Sequence, residues 1–186
     1  MCGQVYHAVG WRKVKIGCVH LHMNCIPLSK IPSVEKINPR LRLAVQEIIY
    51  FLYIPLPPSA HHDALCIGSD KAEMIFYIDL RKKMKECMED CLDLQRKVVE
   101  SCRENKQEEE YECPQEFIED LERERCRGIC EDIYVENAET ALFKIQDRLR
   151  ILDRYGIRYV ERVSRPSRYE IVVKAYIDPR VVKSKT

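Results

Sequence analysis

The residues of this chain best suited to chemistry are its cysteines, ten of them among 186 residues. Six lie in the middle of the chain and mirror one another about residue 108, as Cys87 with Cys130, Cys91 with Cys126, and Cys102 with Cys113. Two helices that fold back on each other around this centre would bring each pair together, because a four-residue spacing keeps two side chains on one helix face. Closely packed helices supply the Cα separation of about 5.5 Å that a disulfide needs. The spacing therefore predicts a helical hairpin with three disulfides.

Two alternatives for these cysteines stay open. Four thiolates at one level of such a hairpin could bind zinc or an iron–sulfur cluster. We expect no cofactor, with zinc as the alternative. Cys102 and Cys113 favour disulfides, because a four-thiolate site leaves them without a role. Free cysteines in an apolar core are the other alternative.

The two Cys-x-x-x-Cys motifs resemble the twin-motif helical hairpins of small mitochondrial intermembrane-space chaperones and of plant hairpin peptides. The resemblance covers residues 87–130, and the 34 residues between the motifs form a longer span than those families use. It implies a shared hairpin architecture and no shared function.

Hydrophobic periodicity places helices around the cysteines. Between Leu80 and Cys102 the apolar residues recur about every 3.5 positions, which is the spacing of a single helical stripe. The polar stretch 103–112 interrupts this pattern and is predicted to contain the turn, and Pro114 stands where a second helix would begin. Residues 70–79 are dense in bulky apolar side chains and suit either an extension of the first helix or a strand. The helical hairpin is assigned to residues 70–136.

Residues 1–69 are predicted to form a small mixed unit. Residues 14–23 have the pattern of a strand, and Asn38 followed by Pro39 is a typical helix start. That helix must end before Pro55, where the proline-rich segment 55–59 forms a stiff linker and the best internal boundary.

Residues 137–186 are predicted to form a helix followed by a β-hairpin. Its helical stripe comprises Leu142, Ile145, Leu149 and Leu152. Gly156 stands at the C-terminal cap, and strands follow at 157–163 and 168–177. The expected fold class is α+β, with a mixed N-terminal unit, a long disulfide-stapled antiparallel helical hairpin, and a winged-helix-like C-terminal helix and hairpin.

The near balance of 31 basic and 30 acidic residues hides an uneven distribution. Residues 71–140 have a net charge of −9, whereas residues 141–186 have a net charge of +7. The basic helix and hairpin resemble the recognition helix and wing of winged-helix DNA-binding domains, and basic side chains bind phosphates. The predicted nucleic-acid-binding residues are Lys144, Arg148, Arg154, Arg158, Arg162, Arg165, Arg168 and Lys174. A solvated face, or docking on the acidic hairpin of a second copy, is the alternative.

A second group of metal-ligand residue types lies near the N-terminus. The candidate ligands, for zinc or another divalent ion, are Cys18, His20, His22, Cys25, His61 and His62. The His-hydrophobic-His strand resembles the signature of HUH endonucleases, which implies a metal-dependent nuclease that uses His20 and His22. Ordinary packing, with Cys2, Cys18, Cys25 and Cys66 in disulfides of undetermined pairing, is the alternative.

Composition suggests an origin and a functional class. The 61 charged residues far outnumber the 20 Ser, Thr, Asn and Gln residues, a bias typical of hyperthermophile proteins, and cysteine-rich intracellular proteins occur in hyperthermophilic archaea. We therefore expect a protein from the cytoplasm of such an archaeon, or from the virion of one of its viruses. The apolar run 48–56 is too short for a membrane span. The expected role is non-catalytic binding or assembly, with contact to nucleic acid, self-association and no membrane; a virion structural or protein-binding role without nucleic acid is the alternative.

Overall fold

The computed structural model of this chain describes residues 4–9, 12–18, 24–104 and 119–183. The chain forms two compact units. One, which we call the sheet unit, combines Met1–Asp79 with Ala138–Thr186, and the other, the hairpin unit, is Leu80–Asn137. The architecture is α+β, as the sequence predicts.

The elements are numbered here in chain order. The strands are β1 (Gln4–Val9), β2 (Arg12–Cys18), β3 (Asn24–Pro27), β4 (His61–Ile67), β5 (Ala72–Asp79), β6 (Tyr159–Ser167) and β7 (Glu170–Ile177). The α-helices are α1 (Pro39–Phe51), α2 (Arg81–Glu104), α3 (Glu119–Leu149), α4 (Ile151–Arg154) and α5 (Pro179–Val182). Short 3-10 turns occupy Leu28–Ser33 and Pro58–Ala60.

The sheet unit is organised around a five-stranded antiparallel sheet with the order β3-β4-β5-β7-β6. The central pair, β5 and β7, runs in register from Ala72 opposite Ile177 to Asp79 opposite Glu170. This ladder joins strands that lie about a hundred residues apart in the chain. Residues 1–69 and 138–186, which the sequence pattern assigns to two separate units, therefore lie in one compact unit. Strands β1 and β2 pair with each other in a separate two-stranded ladder.

Apolar side chains are buried on both faces of the sheet. On β5, Met74, Phe76 and Ile78 are two residues apart, so they lie on one face of the strand, and all three are almost completely buried. The fully buried side chains of the helices in this unit include Leu41, Ile48, Ile145, Leu149 and Leu152. A smaller cluster on the opposite face contains Ala64, Cys66, Ile75 and Val172. Sheets buried on both faces give nearly continuous apolar strands, which explains the dense apolar run before Leu80.

Helix α1 begins and ends where the sequence predicts. The Asn38 side chain accepts a hydrogen bond from the backbone N–H of Arg40 at 2.9 Å, and Pro39 occupies the first turn. The cap satisfies a backbone donor that would otherwise have no partner in the helix, and proline at this position removes another. The helix ends at Phe51, before Pro55, so this prediction is confirmed.

Three boundaries differ from the sequence-based expectations. Residues 72–79 are β5, because their alternation fits a strand buried in the sheet, so the helical hairpin starts at Arg81. The helix expected at the start of 137–186 is continuous with the second hairpin helix, since nothing after Gly128 in α3 would end a helix. The expected C-terminal hairpin is present as β6 and β7, and it forms one edge of the larger sheet. The predicted turn at 103–112 and helix start at Pro114 fall largely or wholly outside the described residues.

The hairpin unit contains α2 and the first part of α3, joined antiparallel by two of the predicted disulfides. Cys87 is bonded to Cys130 and Cys91 to Cys126, with Cα separations of 6.0 and 5.8 Å. These four sulfurs are therefore bonded to one another, not to a metal. Cys102 is also disulfide-bonded, and its predicted partner lies outside the described residues. None of the helices that the structure describes is long and apolar enough to cross a membrane.

Candidate nucleic-acid interface

Three exposed aromatic side chains lie where α1 ends. Tyr50, Phe51 and Tyr53 are 82%, 51% and 69% exposed, and the rings of Tyr50 and Phe51 meet edge to face with centroids 4.9 Å apart. A soluble chain seldom leaves neighbouring large rings open to water unless a partner covers them. These rings form a group of exposed aromatic side chains on the described surface of the sheet unit.

Two of the predicted phosphate-binding residues sit over these rings. The Lys144 Nζ lies 4.7 Å from the centroid of the Tyr53 ring, and the Arg148 guanidinium carbon lies 5.9 Å from that of Phe51. Both distances are within the range of a cation–π interaction. One turn of α3 separates the two cations, so they project from the same helix face. We call Tyr50, Phe51, Tyr53, Lys144 and Arg148 the aromatic-basic patch.

The cations of this patch are among the residues predicted from the sequence, whereas its aromatic rings are not. A usable signal was present for Tyr50, because the buried stripe of α1 runs through Leu41, Val45 and Ile48, and Tyr50 falls on the opposite side of the helix. Large aromatic residues off the buried stripe of an amphipathic helix are expected to be exposed. Arg148 also lies 3.7 Å from the carboxylate of Asp147, the residue before it.

Three other predicted cations are paired with carboxylates inside the sheet unit. Arg154 donates a hydrogen bond of 2.6 Å to Glu47, which also accepts one from the Tyr155 hydroxyl at 2.9 Å. Arg165 donates two, of 2.6 and 2.8 Å, to Glu139. The third, Lys174, donates to Glu73 at 3.1 Å. Their charge is partly neutralised, so they are weaker candidates for phosphate binding than the sequence suggests.

The pair formed by Arg165 and Glu139 links the last part of β6 to α3. The hydrogen bonds from Arg165 hold the pKa of the Glu139 carboxyl below its usual value, so this carboxylate stays ionised to lower pH. Each side chain is nearly half exposed, and the pair contributes little stability at a surface. Its effect is on position, because the tip of the predicted wing is held against a helix of the same unit.

The remaining predicted cations lie along the β6 and β7 hairpin or just before it. Arg162 sits 5.6 Å from the ring centroid of Tyr176, and Arg168 sits 6.0 Å from that of Tyr169. Arg158 precedes β6 and is exposed. These three residues form a second, more dispersed positive region of the sheet unit.

The candidate metal ligands are only partly within the described residues. Cys25 stands opposite Cys66 in the β3 and β4 ladder and is bonded to it, which settles a pairing that the sequence left open and removes Cys25 as a thiolate ligand. His61 and His62 are consecutive on β4, so they face opposite sides of the sheet. In the part of the chain that the structure describes, no three His, Cys, Asp or Glu side chains are grouped to hold a metal. His20 and His22, and the side chain of Cys18, fall outside that part.

The chain matches no known family model, no curated protein and no solved structure. Its function therefore has to be inferred from the arrangement of its own side chains. The aromatic-basic patch is the strongest such arrangement, because it combines exposed rings with cations that the sequence had already selected independently.

Proposed function

We propose that this protein binds single-stranded nucleic acid through the aromatic-basic patch. The observation that supports the proposal is that Lys144 lies over the exposed ring of Tyr53 and Arg148 lies over the exposed ring of Phe51. Exposed rings stack on unpaired bases, which contributes about 1–3 kcal/mol per base, and adjacent cations attract the phosphates. A paired duplex hides its base faces and offers nothing for these rings to stack on. The patch therefore favours a single strand, although the sequence resemblance points to duplex DNA.

The charge distribution supports placing this site on the sheet unit. That unit has 20 basic and 12 acidic residues, whereas the hairpin unit has 11 and 18. The corresponding net charges, +8 and −7, would attract a polyanion to the sheet unit and repel it from the hairpin unit. Neutralising phosphates releases counterions, so binding should weaken steeply as salt increases.

Binding of labelled single-stranded DNA and RNA, measured by fluorescence anisotropy, tests this proposal. We expect the unaltered protein to bind oligonucleotides of about 12 nucleotides, within the usual site sizes. Tyr53→Ala and Phe51→Ala should each weaken binding roughly tenfold or more, because each removes one stacking surface. Arg148→Glu should weaken binding and make it less dependent on salt.

The matched control is Arg125→Glu on the hairpin unit, which reverses an exposed arginine on the same helix away from the patch. We expect it to leave the affinity within about twofold, because it lies outside the proposed site. Failure of the unaltered protein to bind any oligonucleotide at low salt would contradict the proposal, as would equal losses in the control. Cleavage of the strand with added divalent metal, abolished by His22→Ala, would support the nuclease alternative instead.

Self-association is a second candidate function, and the exposed apolar residues of the hairpin unit favour it. Leu94 follows Cys91 by three residues, and Ile133 follows Cys130 by three residues. A two-fold rotation that exchanges the two disulfides also exchanges Cys91 with Cys130, so it places Leu94 and Ile133 on the same face of the hairpin. Helical spacing adds two neighbours on this face. The four residues, which are 41–60% exposed, are Leu94, Val98, Ile129 and Ile133.

The opposite charges of the two units suggest the partner, which is the sheet unit of a second copy. Its aromatic-basic patch would meet an apolar face on an acidic hairpin. Sedimentation equilibrium of the unaltered protein and of Arg148→Glu separates this reading from the first. Self-association is favoured if the unaltered protein forms oligomers that bind no oligonucleotide and that dissociate in Arg148→Glu. The nucleic-acid role is favoured if the unaltered protein is a monomer that binds oligonucleotides.

A further inference from the structure

A groove of about 280 Å³ lies beside the aromatic-basic patch in the sheet unit. Its apolar walls come from the segment that follows α1, including Leu52, Ile54 and Leu56, and its polar groups are His61 and Asp63 of β4. Tyr53 lines it as well, and because this ring is 69% exposed it lies at the mouth. The volume is close to the lower end of the roughly 300–1,000 Å³ typical of ligand pockets, which suits a single ring system.

The polar groups of this groove do not all have a hydrogen-bond partner among the described residues. His61 and Asp63 are two residues apart on β4, so they lie on the same side of the strand. The Nδ1 atom of His61 is buried and has no hydrogen-bond partner among the described residues. An unpaired buried polar atom is costly and rare in native proteins, so it suggests that a partner is supplied from outside the chain. Burial raises the pKa of the Asp63 carboxyl, and the neighbouring histidines oppose that shift.

We propose that this groove receives one base of the bound strand, with its Watson–Crick edge against Asp63 and His61. The inference rests on the proposed function, because Tyr53 belongs to both the aromatic-basic patch and the mouth of the groove. An ionised Asp63 accepts a hydrogen bond from an exocyclic amino group, as carboxylates do from the cytosine N4. The ring of His61 lines the groove, and a turn about its Cβ–Cγ bond brings the buried Nδ1 to the groove, where its N–H donates to the adjacent ring nitrogen of the base.

This pairing of an acceptor with a donor selects a chemical class of base. Cytosine and adenine both present an amino group next to a ring-nitrogen acceptor, which complements Asp63 and His61. Uracil presents a carbonyl oxygen in place of the amino group. Two hydrogen-bond acceptors, this oxygen and the Asp63 carboxylate, would then face each other without a proton between them. A base that leaves a polar group of the site unpaired is strongly disfavoured. The groove should therefore prefer cytosine or adenine to uracil.

Anisotropy titrations with oligo(C) and oligo(U) of equal length test the inference. The unaltered protein should bind oligo(C) about tenfold more tightly, the discrimination expected of one good pair of hydrogen bonds. Asp63→Asn should abolish this preference and leave oligo(U) affinity within about twofold, because stacking at Tyr53 is retained. Ile54→Trp, which fills the groove, should have the same effect by steric exclusion and provides a second variant if Asp63→Asn does not fold. Asp153→Asn, an exposed aspartate on α4, is the matched control and should keep the preference.

The outcomes separate the inference from the function on which it rests. Equal affinity for oligo(C) and oligo(U), or a preference that survives both groove variants, would overturn the base groove and leave strand binding intact. Absence of binding to any oligonucleotide would overturn both. Loss of the preference in the groove variants, with oligo(U) binding retained, would support the groove and the strand site together.

Discussion

Replacing Cys91 and Cys126 with serine should lower the free energy of unfolding of the hairpin unit by about 2–4 kcal/mol. The disulfide joins residues 35 apart in sequence inside the loop closed by Cys87–Cys130, and removing it merges the smaller loops on either side of it into a larger one in the unfolded chain. For a unit of this size, each kcal/mol shifts the melting temperature by roughly 4–8 °C. We therefore expect its melting temperature, followed by helical circular dichroism, to fall by roughly 10–25 °C.

The expected loss is large because little besides this disulfide and Cys87–Cys130 holds the two helices together. The buried hydrophobic side chains of the described hairpin unit are few, namely Leu80, Met84, Leu92, Val99 and the two cysteines Cys126 and Cys130. Surface ion pairs along α2, such as Lys97 with Asp93 at 2.6 Å, are exposed to solvent and contribute little stability. Small units with a thin core generally depend on disulfides or metals. The cysteines here supply both the covalent link and part of the core.

A matched control uses the disulfide of the sheet unit, Cys25–Cys66. Serine at Cys25 and Cys66 removes a link between β3 and β4 in the sheet unit, so the hairpin unit should melt at an unchanged temperature. A hairpin transition that is insensitive to Cys91→Ser with Cys126→Ser would show that packing alone suffices. Retention of the transition in the unaltered protein after complete reduction would have the same meaning.

The hairpin could be predicted from sequence because its determinants are regular in sequence. The mirror positions of the cysteines identify the pairs of Cys87 with Cys130 and of Cys91 with Cys126, and both are present. The sheet could not be predicted in the same way, because β5 and β7 are joined by a ladder of side chains and backbone groups far apart in the chain. Strand order depends on such long-range pairing, which leaves no local periodicity.

Part of the candidate site could likewise be predicted from the sequence, and part of it could not. Lys144 and Arg148 could be selected from charge alone, whereas their seating on Tyr53 and Phe51 depends on how the end of α1 meets α3. Charge alone also selected cations that the fold uses internally. Their carboxylate partners, distant in sequence, are Glu47 for Arg154, Glu139 for Arg165 and Glu73 for Lys174.

Lys174→Met should lower the free energy of unfolding of the sheet unit by about 2–3 kcal/mol. A buried charge that loses all of its partners costs more, roughly 3–5 kcal/mol. The Glu73 side chain is only 4% exposed, and its carboxylate accepts from Lys174 at 3.1 Å and from Lys71 at 2.9 Å. Lys71 remains in the variant, so the carboxylate keeps one partner. Urea unfolding at neutral pH measures the loss. Arg162→Met, at the position opposite Lys174 on β6, is the control and should cost much less because Arg162 is exposed.

The pH dependence of the same variant identifies Glu73 as the source of the effect. Burial alone would raise the pKa of Glu73, but the hydrogen bonds from Lys71 and Lys174 outweigh it and hold that pKa below its ordinary value. A lowered folded-state pKa stabilises the fold fully above the unfolded-state pKa, and this stability is lost as pH falls through the folded-state value. Without Lys174 the folded-state pKa rises, so the variant should lose less stability on acidification, and its difference from the unaltered protein should shrink below about pH 4.5. A difference that stays constant across the acid range would assign the loss to packing of the lysine stem instead of to the ion pair.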